Sequence, residues 1–179
     1  MRILIATPLY PPEVAEPAPY AKELAQRLAK DHEVSVVAYA HLPEAIPGVR
    51  MHAVDKRRSR FVRLIALTWQ LFRAARRADA VLVVNGASTE LPALAVSYAL
   101  RTPLFFVVAD RAAHERAVLA KSALEARAFA RAKHVFTELP LPRPEILPLD
   151  PEPTEELAAY EKSWEAHLAL LANALHHGA

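Results

Sequence analysis

The sequence predicts an α/β domain, a doubly wound parallel β-sheet with helices on its faces. Three observations carry this. Six short apolar runs recur along the first 137 residues, and segments of helical period separate most of them. The run Pro103-Leu-Phe-Phe-Val-Val108 is apolar at every position, as a strand covered on both faces should be. Turn-forming residues close several runs, Asn85-Gly86 among them.

The elements follow in order. Met1 to Thr7 is an apolar strand that runs into a proline-stiffened loop, Pro8 to Pro12. Pro19 opens a helix that continues to Lys30. Val34 to Tyr39 is a second strand, Pro43 to Gly48 a turn, and Val49 to Val54 a third strand. Ser59 can N-cap a long helix reaching about Ala78. Ala80 to Val84 is a fourth strand. Ser88 or Thr89 caps a helix through Leu100, with Pro92 tolerated in its first turn. Pro103 to Val108 is the fifth strand, Arg111 to Ala132 a helix, and His134 to Thr137 the sixth strand. Strand–helix–strand alternation with right-handed crossovers gives a Rossmann-like domain over 1–139. Residues 140–153 are proline-rich and predict a stiff, extended linker. Residues 154–179 then form an amphipathic helix. Leu157, Tyr160, Trp164, Leu168, Leu171 and Leu175 make one stripe, which is expected to pack on the domain.

Composition narrows the functions. A chain of 179 residues, 53% hydrophobic and 23% charged, is the size of one domain with a real core. Its formal charge of +2 gives no nucleic-acid footprint, so no nucleic-acid partner is expected. The absence of cysteine excludes disulfides, thiolate zinc sites and cysteine nucleophiles, and fits a cytoplasmic location. Neither a signal peptide nor an apolar stretch of membrane-spanning length is read. Only three glycines occur, at 48, 86 and 178. No glycine-rich phosphate loop can be written from them, because such loops need backbone N–H groups to approach the anion closely. The eight histidines show no HxxxH or HExxH spacing, so no metal site is expected. No cofactor is expected either.

The opening stretch PLYPPEVAEPAPYAKELAQRLAKDHEVSVV resembles the start of family-4 GT-B glycosyltransferases. ADAVLVVNG, TPLFFVVAD and LEARAFARAKHVFTEL are similar to three further segments of the family's N-terminal domain. EILPLDPEPT resembles the family's hinge, and YEKSWEAHLALLANAL the helix that ends the whole enzyme and crosses back onto the first domain. The resemblance covers nearly the whole chain in two pieces, and the donor-binding domain between them is missing. It implies a GT-B N-terminal acceptor domain with the crossover helix.

Departures from that pattern fall on functional positions. The family's glycine pair in the first loop is replaced by Val14-Ala-Glu-Pro-Ala18, which adds Cβ atoms and the charge of Glu16. The position implied for the catalytic histidine is Ala109, and Asn85 stands at another family histidine. Asp110 and His114 are the remaining candidates for a catalytic role. Asp110 reads equally as the N-cap of the helix beginning at Arg111. Ligands of doubly wound sheets sit beyond the strand C-termini. Substrate-binding candidates are therefore Thr7, Tyr10, Glu16, His41, Asn85 and Ser88.

The helix after Ser59 is basic and amphipathic. Phe61, Val62, Leu64, Ile65, Trp69, Leu71 and Phe72 share one broad face; Arg60, Arg63, Gln70, Arg73 and Arg77 share the other. The apolar face is expected to cover the sheet and the arginines to be solvated. The same pattern suits peripheral contact with an anionic membrane through Arg60, Arg63 and Arg73. The functional expectation is a glycosyltransferase-like acceptor-domain protein, inactive alone for want of a donor domain. The alternative is a non-catalytic interaction or scaffold protein of the same descent. Partners are a second copy in a homodimer, through the cleft face with its loops bearing Leu9, Tyr10, Val14 and Leu42 or through the face around the C-terminal helix, or a separate donor-domain chain.

Overall fold

A computed structural model describes residues 1–15, 17–120, 123–144 and 154–178. They divide into two compact units, Met1–Thr137 and Glu138–Gly178.

The first unit is a six-stranded, wholly parallel sheet of order β3-β2-β1-β4-β5-β6. Its strands are β1 (Arg2–Thr7), β2 (Glu33–Tyr39), β3 (Val49–Val54), β4 (Ala80–Val84), β5 (Leu104–Val107) and β6 (His134–Phe136). The helices are α1 (Ala18–Leu28), α2 (Arg60–Ala75), α3 (Ala87–Leu100), α4 (Arg111–Leu119) and α5 (Ala123–Arg131). This strand order is Rossmann-like, with its topological switch between β1 and β4. The central strands β1, β4 and β5 are buried almost throughout, whereas the edge strands β3 and β6 are half-exposed. A loop, 40–48, joins β2 to β3 without a helix and buries Ile46.

One core lies between the sheet and α2, α3 and α5. Leu4, Val37, Val54, Val83 and Phe106 meet Leu67, Leu71, Leu94 and Ala128 there. α1 packs on β1 and β2, burying Ala18, Tyr20, Ala21, Leu24, Ala25 and Leu28, a run of helical period. Arg2 ties the start of β1 to the turn before β4. Its backbone N–H and guanidinium both donate to the Asp79 carboxylate, at 2.8 and 2.6 Å, and hold that carboxyl below its usual range.

Four local expectations are corrected. The helix predicted over 111–132 is two helices. α4 buries no residue and leaves Val118 and Leu119 exposed, whereas α5 packs Phe129 edge-on against Phe106 at 5.0 Å. α3 starts two or three residues early, with Gly86 as its N-cap in place of Ser88 or Thr89. Ser59 precedes α2 without a side-chain capping bond. The buried face of α2 is Leu67, Leu71 and Ala75, while Phe61, Val62, Ile65 and Trp69 point to solvent.

The second unit holds α6 (Thr154–Gly178) and the irregular segment 138–144. The Ser163 hydroxyl donates to Tyr160 O at 2.7 Å and accepts from Leu141 N at 3.0 Å, which pins that segment to the helix. Trp164 sits edge-on between Tyr160 and His167. Most of the predicted linker, 145–153, lies outside the described residues.

Candidate functional site

The switch point between β1 and β4 is where a doubly wound sheet opens a crevice for a ligand. Here it is filled. Gly86 follows β4 with φ +151°, a conformation open to glycine, and Pro8 follows β1. A Cβ placed on Gly86 would lie 2.7 Å from Pro8 Cγ, so the two loops are in close contact. The N–H of Gly86, at the head of α3, donates to Glu90 Oε1 at 2.9 Å. Glu90 is buried, so the carboxylate that a helix N-terminus attracts comes from the chain itself. Thr89 Oγ1 lies 2.9 Å from Gly86 O and 3.3 Å from Val84 O, closing the same turn.

Asn85 and Asp110 are brought together. Asn85 Nδ2 donates to Asp110 O at 2.7 Å, and Asp110 N donates to Asn85 Oδ1 at 2.8 Å. The amide thus clamps the end of β5 to the end of β4. Asp110 also N-caps α4, its Oδ1 accepting from Ala113 N at 2.8 Å. Its carboxylate is engaged in holding a helix, and His114 lies stacked on Phe129 with ring centres 5.4 Å apart.

The other candidates spread around the strand ends. Thr7 is buried and donates to Leu9 O at 2.8 Å. Tyr10 is fully buried, and its hydroxyl has no hydrogen-bond partner among the described residues. Burial, with the nearby Glu44 charge, pushes its pKa up to about 12. His41 is half-exposed, 3.8 Å from Asp55. Ser88 is exposed on the first turn of α3, its carbonyl 3.5 Å from the Tyr39 hydroxyl. Glu16 lies outside the described residues. Ion pairs tie these loops together, Lys22 with Glu44 at 2.7 Å and Lys56 with Glu13 at 2.6 Å. Both are surface pairs, the first joining α1 to the 40–48 loop, and contribute about 0–1 kcal/mol each.

Two features escape a reading along the chain. Glu90 was signalled only by its place as an acid in the first turn after a strand–glycine junction. The second is a cavity of about 360 Å³ at the opposite, amino-terminal edge of β1–β3, under the end of α2. Arg2, Arg50, His52, Arg73, Arg76 and Arg77 line it, with Glu33. They are distant in sequence and become neighbours only through the strand order. Among the described residues, no group of three or more His, Cys, Asp or Glu could hold a metal ion. No helix there is long and apolar enough to cross a membrane.

No family model and no curated relative matches the chain. Among solved structures it is similar to the C-terminal domain (residues 78–226) of PF1911 hydrogenase from Pyrococcus furiosus. The identity is 12%, over 59% of this chain and 89% of that one, with a TM-score of 0.40. A second structure of that domain (residues 83–215) gives 12% identity, the same coverages and a TM-score of 0.37. Superpositions this loose carry no argument about what the chain does.

Proposed function

We propose that the chain is a glycosyltransferase-like acceptor-domain protein that does no chemistry alone and works as an interaction domain. One observation carries the reading. At the switch point, the helix N-terminus that would face a ligand's phosphate faces the chain's own Glu90, with Pro8 packed on Gly86. A diphosphate entering there would meet a buried carboxylate in place of an open N–H, and like charges at close range repel strongly in a partly dry site. The polar groups that remain nearby are committed as well. Asn85 is spent on the Asp110 backbone, and Asp110 on the head of α4. Ala109 can neither accept a proton nor orient a hydroxyl. On this reading, sugar transfer would need a separate chain carrying the nucleotide-sugar site.

Calorimetry of the full chain with UDP- and GDP-sugars tests it. No binding heat is expected. A dissociation constant below about 100 μM, roughly −5.5 kcal/mol, would overturn the reading.

A further inference from the structure

α2 is apolar on two sides. Its inner side, Leu67, Leu71 and Ala75, covers the sheet. Its outer side carries Phe61, Ile65 and Trp69 at successive turns, 81%, 70% and 59% exposed, with Val62 beside them. Trp69 lies stacked near Phe72, at 6.3 Å, which continues the stripe. A row of large apolar side chains along one helix face is unusual on a protein surface and marks a contact.

The charges around the stripe are all of one sign. Between residues 56 and 78 there are eight basic residues and no acidic one. Lys56 is paired with Glu13, and Arg63 turns inward, donating to Lys56 O and lying 5.7 Å over the Tyr39 ring. Arg57, Arg58 and Arg60 stay exposed at the amino end, Arg73, Arg76 and Arg77 at the carboxyl end. At about 100° per residue, Arg76 falls on the same side of the helix as Ile65 and Trp69, with Arg73 beside it. Those last three arginines also line the 360 Å³ cavity. Two other cations of the cavity are already balanced, Arg2 by Asp79 and Arg50 by Glu33, each at 2.6 Å. The rest of its positive charge is without an anion among the described residues.

We propose that this face of α2 docks on an anionic phospholipid bilayer. The outer stripe enters the boundary between headgroups and acyl chains, and Arg73, Arg76 and Arg77 take lipid phosphates at the mouth of the cavity. Charge complementarity selects this occupant. A second copy bound through the same face would set one arginine rim against another, with no acid on the helix to pair them. An anionic bilayer offers apolar depth and negative charge together. The proposal stands independently of the reading of the switch point.

Flotation of the full chain with vesicles tests it, using phosphatidylcholine alone and phosphatidylcholine with about 30% phosphatidylglycerol. Binding is expected to the anionic vesicles and not to the neutral ones, and to weaken in high salt. Ile65→Ser with Trp69→Ser should weaken it about tenfold or more, as should Arg73→Gln with Arg76→Gln and Arg77→Gln. Trp69→Phe should retain binding and lose the blue shift of tryptophan emission that anionic vesicles induce in the unaltered chain. Equal flotation with neutral vesicles, no flotation with anionic ones, or full binding by the Ser variant would overturn the proposal. So would a lipid-free dimer, seen by light scattering, that the Ser variant dissociates.

Discussion

Gly86 is the residue on which the closed switch point turns. Its φ of +151° suits glycine alone, and a methyl group there would press on Pro8. Gly86→Ala should therefore destabilise the chain by about 2–4 kcal/mol through strain and overpacking together, seen as a lowered thermal midpoint. A midpoint within a degree of the parent would show that the β1 and β4 loops are looser than described. Sequence reasoning reached Asn85 and Ser88 on either side of this glycine but gave them a ligand to bind. What it could not reach was the partner of each polar group. Asn85 and Asp110 are 25 positions apart, and only the pairing of β4 with β5 makes one the clamp of the other. The roles of Thr7 and Glu90, by contrast, are local hydrogen bonds. Glu90, an acid just inside a helix that follows a strand and a glycine, was legible in principle.

At the scale of elements, strands were read closely because a parallel sheet leaves an unbroken apolar run at each central strand. Helix faces were harder. The face of α2 assigned to the sheet is turned by about a quarter of a revolution from the one that packs there. Both sides are apolar, so periodicity alone could not choose between them; in the structure it is Leu67, Leu71 and Ala75 that join the core. The break between α4 and α5 was missed for a related reason. No glycine or proline marks it, and α4, unlike α5, buries no residue that would show as an apolar stripe. α6 supplies a prediction of its own. Burial holds the His167 imidazole down at about 4, with a backbone hydrogen bond to Glu138 acting the other way. The unfolded chain would protonate this group near 6.5 and the folded chain would not. Stability from a neutral His167 is therefore full above about pH 6.5 and falls as the pH drops toward 4. The thermal midpoint should decline through that window. His167→Gln should flatten the part of the decline between about pH 6.5 and 5, before carboxylates titrate. An unchanged slope in that variant would remove His167 as its source.

At the scale of the whole molecule, the sequence led to a homodimer built on four apolar loop residues at the strand ends, or on the face around the C-terminal helix. Tyr10 is folded inward, which leaves Val14 at 90% exposure and Leu42 at 73% as the prominent ones. A contact with so few anchors is small, and small contacts are weak. We expect a mass of 19.8 kDa by light scattering at low concentration, rising toward twice that only in the range of tens of micromolar. Val14→Ser with Leu42→Ser should hold it at the lower value. A dimer that survives dilution in that variant would place the interface elsewhere. The head of α3 has a consequence for conditions inside a cell. A domain that leaves an anion site open gains stability from whatever phosphate compound binds it, by mass action, and so tracks the supply of that compound. This chain carries the anion in its own covalent structure, at a fixed effective concentration. Its melting temperature should be indifferent to the nucleotide pool, as steady in a starved cell as in a fed one.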